Sequence, residues 1–184
     1  MIFRETTLAG AYVIELEKIE DERGFFSRSW CEKEFRQQGL ETKLVQANVS
    51  FNKRAGTLRG MHYQLPPCEE SKVVSCTKGA IYDVIIDLRR NSPTFLQWFG
   101  LTLSASNRKT LYVPKSFAHG FQTMEDDSEV FYLMSEFYSQ EHARGVRWND
   151  PLVRIIWPME PSVLSPRDRQ YGDARPEDFF ALGL

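Results

Sequence analysis

Residues 82–88 read YDVIIDL, an alternation that is typical of a β-strand with two different faces. Four side chains on one face are predicted to point inward: Tyr82, Val84, Ile86 and Leu88. Asp83 and Asp87 are predicted to lie on the opposite face. The sequence NSPT at residues 91–94 then predicts a turn, and a second strand is expected over residues 95–103.

Period-two patterns separated by turn residues extend on both sides of this strand, from residue 43 to residue 158. Many short strands with turns at regular intervals are typical of a sandwich or a barrel, so the chain is predicted to be mainly β. The further strands are predicted at residues 110–113, 117–123, 130–138 and 155–157.

One short segment, residues 31–38, has the pattern of a helix. The spacing Ser29-x-x-Glu32 predicts a capping box at its start, and Gly39 is suited to the left-handed residue that ends a helix. Beyond residue 158 the chain is rich in proline and charge, which predicts surface loops. A short terminal helix is expected over residues 176–182.

The composition predicts one domain over residues 1–184, because 42% hydrophobic residues suffice for one core. Lys and Arg number 23 against 25 Asp and Glu, so no broad charged surface for a nucleic acid or an anionic membrane is expected. An anionic ligand must then be held by locally placed cations. No apolar run approaches the length of a membrane span, and the N-terminus does not have the pattern of a signal peptide.

Cysteine usage indicates the compartment. Cys31, Cys68 and Cys76 are odd in number and have no Cys-x-x-Cys spacing, which argues against a disulfide framework and against a zinc ribbon. A reduced cytoplasmic location is therefore expected.

Residues 45–51, VQANVSF, alternate in an unusual way, because the polar face carries amides and a hydroxyl instead of charges. Gln46, Asn48 and Ser50 share that face. Uncharged donors and acceptors at this spacing favour the wall of a polar cavity, and a plain exposed face is the alternative.

Residues 56–64, GTLRGMHYQ, concentrate chemistry in a strand-like segment. His62 is one of three histidines in the chain and follows the permanently charged Arg59, which makes it a candidate general base next to an anion binder. The alternative is a buried structural histidine. In a regular strand the two side chains would point to opposite faces. Gly60 could accommodate a bulge that brings them together, or it could mark close backbone packing.

Three further residue types are open to two interpretations. Lys72 stands among apolar neighbours as either an edge-strand charge or a cavity cation. Tyr132 and Tyr138 would share a face about 20 Å apart on one continuous strand, with one near a reacting centre and the other on a ligand ring, or both would be core contacts. His62 and His119 could meet in one cavity, but Gln64 stands where a metal-binding cupin has the second histidine of its His-x-His pair. No metal site is therefore predicted.

These motifs resemble the dTDP-4-dehydrorhamnose 3,5-epimerase family over residues 1–168. The matching segments are Asp21-x-Arg23-Gly24-x-Phe26, Gln46-x-Asn48-x-Ser50, residues 58–64 (LRGMHYQ), Lys72, Gly79-x-x-Tyr82-Asp83-Val84, Asp87-Leu88-Arg89-x-x-Ser92-Pro93-Thr94, Pro114-x-x-Phe117-Ala118-His119-Gly120-Phe121, Glu129-Val130-x-Tyr132, Gly145-x-Arg147-Trp148-Asn149-Asp150-Pro151 and Leu164-Ser165-x-x-Asp168. Many matches in the same order make the resemblance specific. It implies an all-β, cupin-like jelly roll or double-stranded β-barrel with a few short helices, in a homodimer with exchanged N-terminal strands.

The resemblance also implies a reaction and its catalytic residues. The family inverts C3 and C5 of a nucleotide-linked 4-keto-6-deoxy hexose by moving protons next to the ketone, with no cofactor. His62 is implied as the general base, oriented by Asp168, and Tyr132 as the proton donor on the other side of the ring. Lys72 is implied to stabilise the enolate oxygen.

The remaining site residues are implied to bind substrate. Arg59 and His119 would contact sugar and diphosphate, and Tyr138 would stack on the base. Gln46, Asn48 and Arg167 are further implied binding residues, and Arg167 stands where relatives commonly have Lys. Arg23 and Phe26 would reach the site of the partner subunit. The resemblance leaves three alternatives open: a single-centre epimerase, an enzyme for a GDP- or CDP-linked sugar, and a binding protein without activity.

Overall fold

The computed structural model describes residues 1–179 and residue 182, and β-strands are its main regular structure. The strands are β1 (Ile2–Glu5), β2 (Tyr12–Glu15), β3 (Ile19–Asp21), β4 (Gly24–Phe26), β5 (Gln46–Asn52), β6 (Thr57–Gln64), β7 (Lys72–Lys78), β8 (Ala80–Asp87), β9 (Trp98–Ser104), β10 (Thr110–Val113), β11 (Phe117–Thr123), β12 (Ser128–Met134), β13 (Ala143–Gly145) and β14 (Val163–Leu164). Two short α-helices, α1 (Glu32–Gln37) and α2 (Pro166–Arg169), and a 3-10 helix at Pro176–Phe179 complete the described elements.

Two sheets form the body of the molecule. The first has the strand order β1-β2-β10-β7-β12-β5, and the second has the order β13-β6-β11-β8-β9. Their strands pair antiparallel, except for β14, which runs parallel to β6. Strands far apart in sequence are neighbours in both sheets, as in a jelly roll, and the predicted mainly β, cupin-like class is confirmed.

The core has three layers. Between the two sheets, Val74 and Leu111 of the first sheet pack with Ile85 and Phe121 of the second. The outer face of the first sheet is covered by α1, whose Phe35 is fully buried.

The third layer lies on the outer face of the second sheet, and it shows which part of the chain buries the apolar face predicted for residues 82–88. Val84 and Ile86 do not face the space between the sheets but pack against Val153 and Phe179 of the C-terminal segment. Asp83 lies on the other face and is also fully buried. Both faces of β8 are covered because the C-terminal segment folds back over the sheet.

Several predicted boundaries change. The strands at 110–113 and 117–123 are as predicted, but β12 ends at Met134, β9 begins only at Trp98, and residues 155–157 form no strand. The continuous strand that would hold Tyr132 and Tyr138 about 20 Å apart does not form.

The helix predictions are partly correct. Gly39 follows α1 with a φ of 70°, as expected, but the N-cap is Cys31 and no side chain caps the helix, so the predicted capping box is wrong. The chain beyond residue 158 is not only surface loop, because it contains β14 and α2. Of the terminal helix expected over 176–182, residues 176–179 form a 3-10 helix, and residues 180 and 181 lie outside the described residues. No helix in the described part of the chain has the length and apolarity needed to cross a membrane.

Candidate active site

A cavity of about 830 Å³ opens between the two sheets. Strands β5, β7 and β12 of the first sheet and β6 and β11 of the second contribute to its wall, together with α2. Ten of the predicted site residues line it: Gln46, Asn48, Arg59, His62, Lys72, His119, Tyr132, Tyr138, Arg167 and Asp168. Arg23 and Phe26 do not line it, because they lie on the exposed β3–β4 hairpin.

The cavity wall depends on an irregularity in β6. His119 of β11 lies opposite His62, whereas Phe121 lies opposite Arg59, so the register shifts between the two pairs. Gly60 has a φ of 121°, and a Cβ atom there would lie 2.5 Å from the Cα of Gly120. The expected irregularity and the expected close packing therefore both occur, and Arg59 and His62 both line the cavity.

His62 forms a charge-assisted pair with Asp168. Its Nε2 lies 2.6 Å from Oδ1 of Asp168, and the histidine side chain is 40% exposed whereas the aspartate is 3% exposed. The backbone N–H of Asp168 donates to Oγ of Ser165, which caps α2 and fixes the carboxylate. Burial raises the pKa of Asp168, but the hydrogen bond and charge of His62 and the N–H of Gly60 outweigh burial, so the pKa lies below its usual value.

His119 forms a second pair with Asp83, which the sequence reasoning did not identify. His119 Nε2 lies 2.8 Å from Oδ1 of Asp83, and the aspartate is fully buried. The available signal was an acidic residue in the interior of a largely apolar strand, since Asp83 stands between Tyr82 and Val84. Because a buried carboxylate needs a partner, this position predicts a contact across the sheet.

Lys72 is a cavity cation and not an edge-strand charge. It begins β7, which lies between β10 and β12, and its side chain is buried. Its Nζ lies 2.9 Å from Oε1 of Glu70, a second residue that the sequence reasoning missed.

Tyr132 reaches the cavity from the neighbouring strand β12. Burial raises the pKa of its phenol, and the charge of Arg59 opposes this only in part.

Polar side chains continue along the cavity. Gln46 donates to Asn48 at 2.9 Å, so the polar face of β5 lines the cavity as the first alternative predicted. At the rim, Arg167 donates to the hydroxyl of Tyr138 at 3.2 Å and to that of Tyr171 at 2.9 Å.

The third histidine, His142, is not among the residues that line the cavity. It is partly buried, and its Nδ1 lies 2.8 Å from Oγ of Ser139. Within residues 1–179 and 182, no group of three or more His, Cys, Asp or Glu side chains could hold a metal ion.

Comparisons with known proteins place this chain in a family. The model of the dTDP-4-dehydrorhamnose 3,5-epimerase family matches residues 5–175. A dTDP-4-dehydrorhamnose 3,5-epimerase of Sinorhizobium fredii is 43% identical over 169 residues, which are 91% of this chain and 87% of the relative.

Solved structures agree. The dTDP-4-dehydrorhamnose 3,5-epimerase of Bacillus anthracis, with TDP and PPi bound, superposes with a TM-score of 0.90 at 43% identity and covers 94% of this chain and 99% of its own. The dTDP-6-deoxy-D-glucose-3,5-epimerase of Legionella pneumophila, in complex with dTDP-4-keto-L-rhamnose, superposes with a TM-score of 0.85 at 35% identity. The match covers 91% of this chain and 89% of the Legionella chain. The chain therefore belongs to the dTDP-4-dehydrorhamnose 3,5-epimerase family, whose members are isomerases.

Proposed function

We propose that the chain converts dTDP-4-dehydro-6-deoxy-D-glucose to dTDP-4-dehydro-L-rhamnose by inverting C3 and C5, and that it needs no cofactor. One observation carries the proposal: His62 of one sheet, paired with Asp168 of α2, and Tyr132 of the other sheet line the same cavity. A base and an acid on different walls suit removal of a proton from one side of a sugar ring and its return from the other.

His62 takes the proton. The C–H bond next to the C4 ketone breaks, its electron pair moves to the keto oxygen, and an enolate forms. Because Nε2 of His62 is bonded to Asp168, Nδ1 is the ring nitrogen that accepts the proton. The Asp168 carboxylate then stabilises the imidazolium. Lys72 lies in the same cavity and stabilises the enolate oxygen with its positive charge.

Tyr132 returns a proton from the opposite side. Its raised pKa keeps the phenol protonated at neutral pH, so that a proton is available when the enolate collapses. The phenolate is then reprotonated from solvent, and His62 loses its proton to solvent. The carbon is inverted, and no electron is gained or lost overall.

The other cavity residues bind the substrate. Arg59 is held by Asn52 at 2.7 Å and, with His119, contacts the sugar and the diphosphate. Gln46, Asn48, Arg167 and Tyr138 bind the nucleotide, and the ring of Tyr138 stacks on the base. The support is that these side chains line one cavity, and that a related protein binds dTDP-4-keto-L-rhamnose.

The working assembly is a homodimer in which Arg23 and Phe26 reach the partner's cavity. In support, the outer face of edge strand β5 exposes 61% of Val49 and 46% of Phe51, and the β3–β4 hairpin exposes 69% of Phe26. Apolar side chains exposed on an edge strand are typical of a surface that another chain covers.

The protein works in the cytoplasm without nucleic acid or membrane as a partner. Three free cysteines and a net charge of −2 support this.

The test is deuterium incorporation from solvent, followed by NMR of the keto sugar at C3 and C5. The proposal expects label at both carbons. Label at one carbon would indicate a single-centre epimerase, and none with dTDP-, GDP- or CDP-linked sugars would indicate a binding protein. In the Tyr132→Phe variant, exchange with solvent of the proton that His62 removes should persist. The rate of inversion of the carbon should fall by about 10²-fold, because the proton donor on the other side is missing.

A further inference from the structure

The carboxylate of Glu70 is buried inside the substrate cavity with one oxygen free. Its side chain is 4% exposed, and Oε1 lies 2.9 Å from Nζ of Lys72. The second oxygen, Oε2, is buried and has no hydrogen-bond partner among the described residues. Glu70 lines the cavity, so the unpartnered oxygen belongs to a residue that a bound substrate can contact.

An unpartnered buried carboxylate oxygen is costly, and proteins rarely leave one without a reason. The neighbouring carboxylate is different in this respect. Glu69 accepts a hydrogen bond from Oγ of Ser116 and does not line the cavity. Glu70 is therefore the acidic residue of this loop that is available to a ligand.

The Lys72–Glu70 pair presents a donor and an acceptor side by side. Lys72 has three N–H donors, of which one is used on Oε1 of Glu70, and Oε2 is an acceptor on the same carboxylate. A keto sugar with a hydroxyl on the carbon next to its ketone offers the complementary pair, because the keto oxygen accepts and the hydroxyl donates.

We infer that Glu70 is a specificity-determining residue whose Oε2 accepts a hydrogen bond from the C3 hydroxyl while Lys72 donates to the C4 keto oxygen. The inference rests on the proposed function and deepens it, since it states which feature of the sugar the enzyme requires. A 3-deoxy sugar would leave Oε2 unpartnered and would be disfavoured. A site that hydrogen-bonds a substrate hydroxyl strongly rejects the analogue without it.

The experiment compares two substrates and two variants. It measures deuterium exchange at C5, a carbon that has the same substituents in both sugars. The substrates are dTDP-4-keto-6-deoxyglucose and its 3-deoxy analogue. Glu70→Gln should reduce kcat/KM for the 3-hydroxy substrate by about 10- to 100-fold. The loss on the 3-deoxy analogue should be about tenfold smaller. Glu69→Gln is the matched control and should leave both values unchanged.

Equal losses of kcat/KM on the two substrates would overturn the inference, because Glu70 would then act only through Lys72. If Glu70→Gln does not fold, the wild-type protein still decides. It should bind the 3-hydroxy sugar nucleotide about tenfold more tightly than the 3-deoxy analogue in calorimetry, and equal affinities would overturn the inference. Absence of wild-type exchange at C3 and C5 would overturn the proposed function itself, and with it the inference.

Discussion

The two histidine–aspartate pairs of the cavity have the same composition but different access to it. His62 is 40% exposed, whereas His119 is 10% exposed, and their aspartates are both buried. The histidines lie opposite each other on adjacent strands, so position along the sheet does not separate them. A base must meet the substrate with a free ring nitrogen, whereas a binding group needs only one donor in a fixed place. This difference in exposure supports the proposal that the first pair transfers the proton and the second binds the substrate.

The origin of the aspartate is the second difference. Asp83 belongs to β8, in the middle of a sheet, where neighbouring strands fix it on both sides. Asp168 belongs to α2, a helix of four residues in the C-terminal segment that is fixed by its cap at Ser165. The same residue type is thus a rigid part of the core in one pair and an addition from outside the sheets in the other.

Removing each histidine in turn tests this comparison most strongly. His62→Ala should reduce deuterium exchange at both carbons by at least about 10³-fold, because no other group replaces the base. His119→Ala should reduce kcat/KM only about tenfold, mainly through KM, because it removes a binding contact. Exchange rates measured by NMR on both variants decide. The comparison fails if the two variants lose exchange equally.

The next largest effect on the reaction rate is expected when the aspartates are replaced. Asp168→Asn should reduce kcat about 10²-fold, because the amide no longer stabilises the protonated His62. Asp83→Asn should keep kcat within about threefold of wild type, because its pair takes no proton. Steady-state kinetics with circular dichroism as a folding control measure both. A kcat loss in Asp83→Asn as large as in Asp168→Asn would show that the buried pair also takes part in the chemistry.

Sequence patterns predicted the parts of this site that depend on local geometry. Alternation placed Gln46 and Asn48 on one face of a strand, because successive side chains of a strand point in opposite directions. The same rule required an irregularity at Gly60 if Arg59 and His62 were to share a site, and the register shift is there.

The contacts between distant segments could not be predicted in this way. His62 and Asp168 are 106 residues apart, and His119 and Asp83 are 36 residues apart. Only the family resemblance linked the first pair, and nothing linked the second. The apolar face of β8 was predicted to be buried and is buried, but alternation did not show that the opposite face is covered as well. Glu70 was missed because its importance depends on Lys72 and on the cavity around both.

A smaller effect is expected at Gly60, where the two strands that carry His62 and His119 approach each other closely. Gly60→Ala would place a Cβ 2.5 Å from the Cα of Gly120 in a backbone conformation that side chains rarely adopt. We expect it to lower the free energy of unfolding by about 2 kcal/mol and kcat/KM by about tenfold, because β6 must move away from β11.

Gly172→Ala is the control for this change, since among the described residues other than its chain neighbours no atom lies within 4 Å of its added Cβ. It should change the free energy of unfolding by less than about 0.5 kcal/mol. Urea unfolding of both variants makes the measurement. Equal stability of the two would mean that β6 tolerates a side chain at Gly60 and that the register shift does not depend on glycine.

The smallest expected effect is a pH dependence of stability that comes from the His62–Asp168 pair. Folding lowers the pKa of Asp168 from its ordinary value of 3.8, so the folded state favours the carboxylate. The resulting stabilisation is fully present well above pH 3.8 and is lost as the pH falls through the lower pKa of the folded protein. The stability difference between wild type and Asp168→Asn should therefore be largest near neutral pH and shrink below pH 3.8. Urea unfolding at a series of pH values measures it, and subtraction of the two curves removes the contributions of Asp87 and other carboxyls. A difference that stays constant down to acid pH would show that His62 does not stabilise the Asp168 carboxylate.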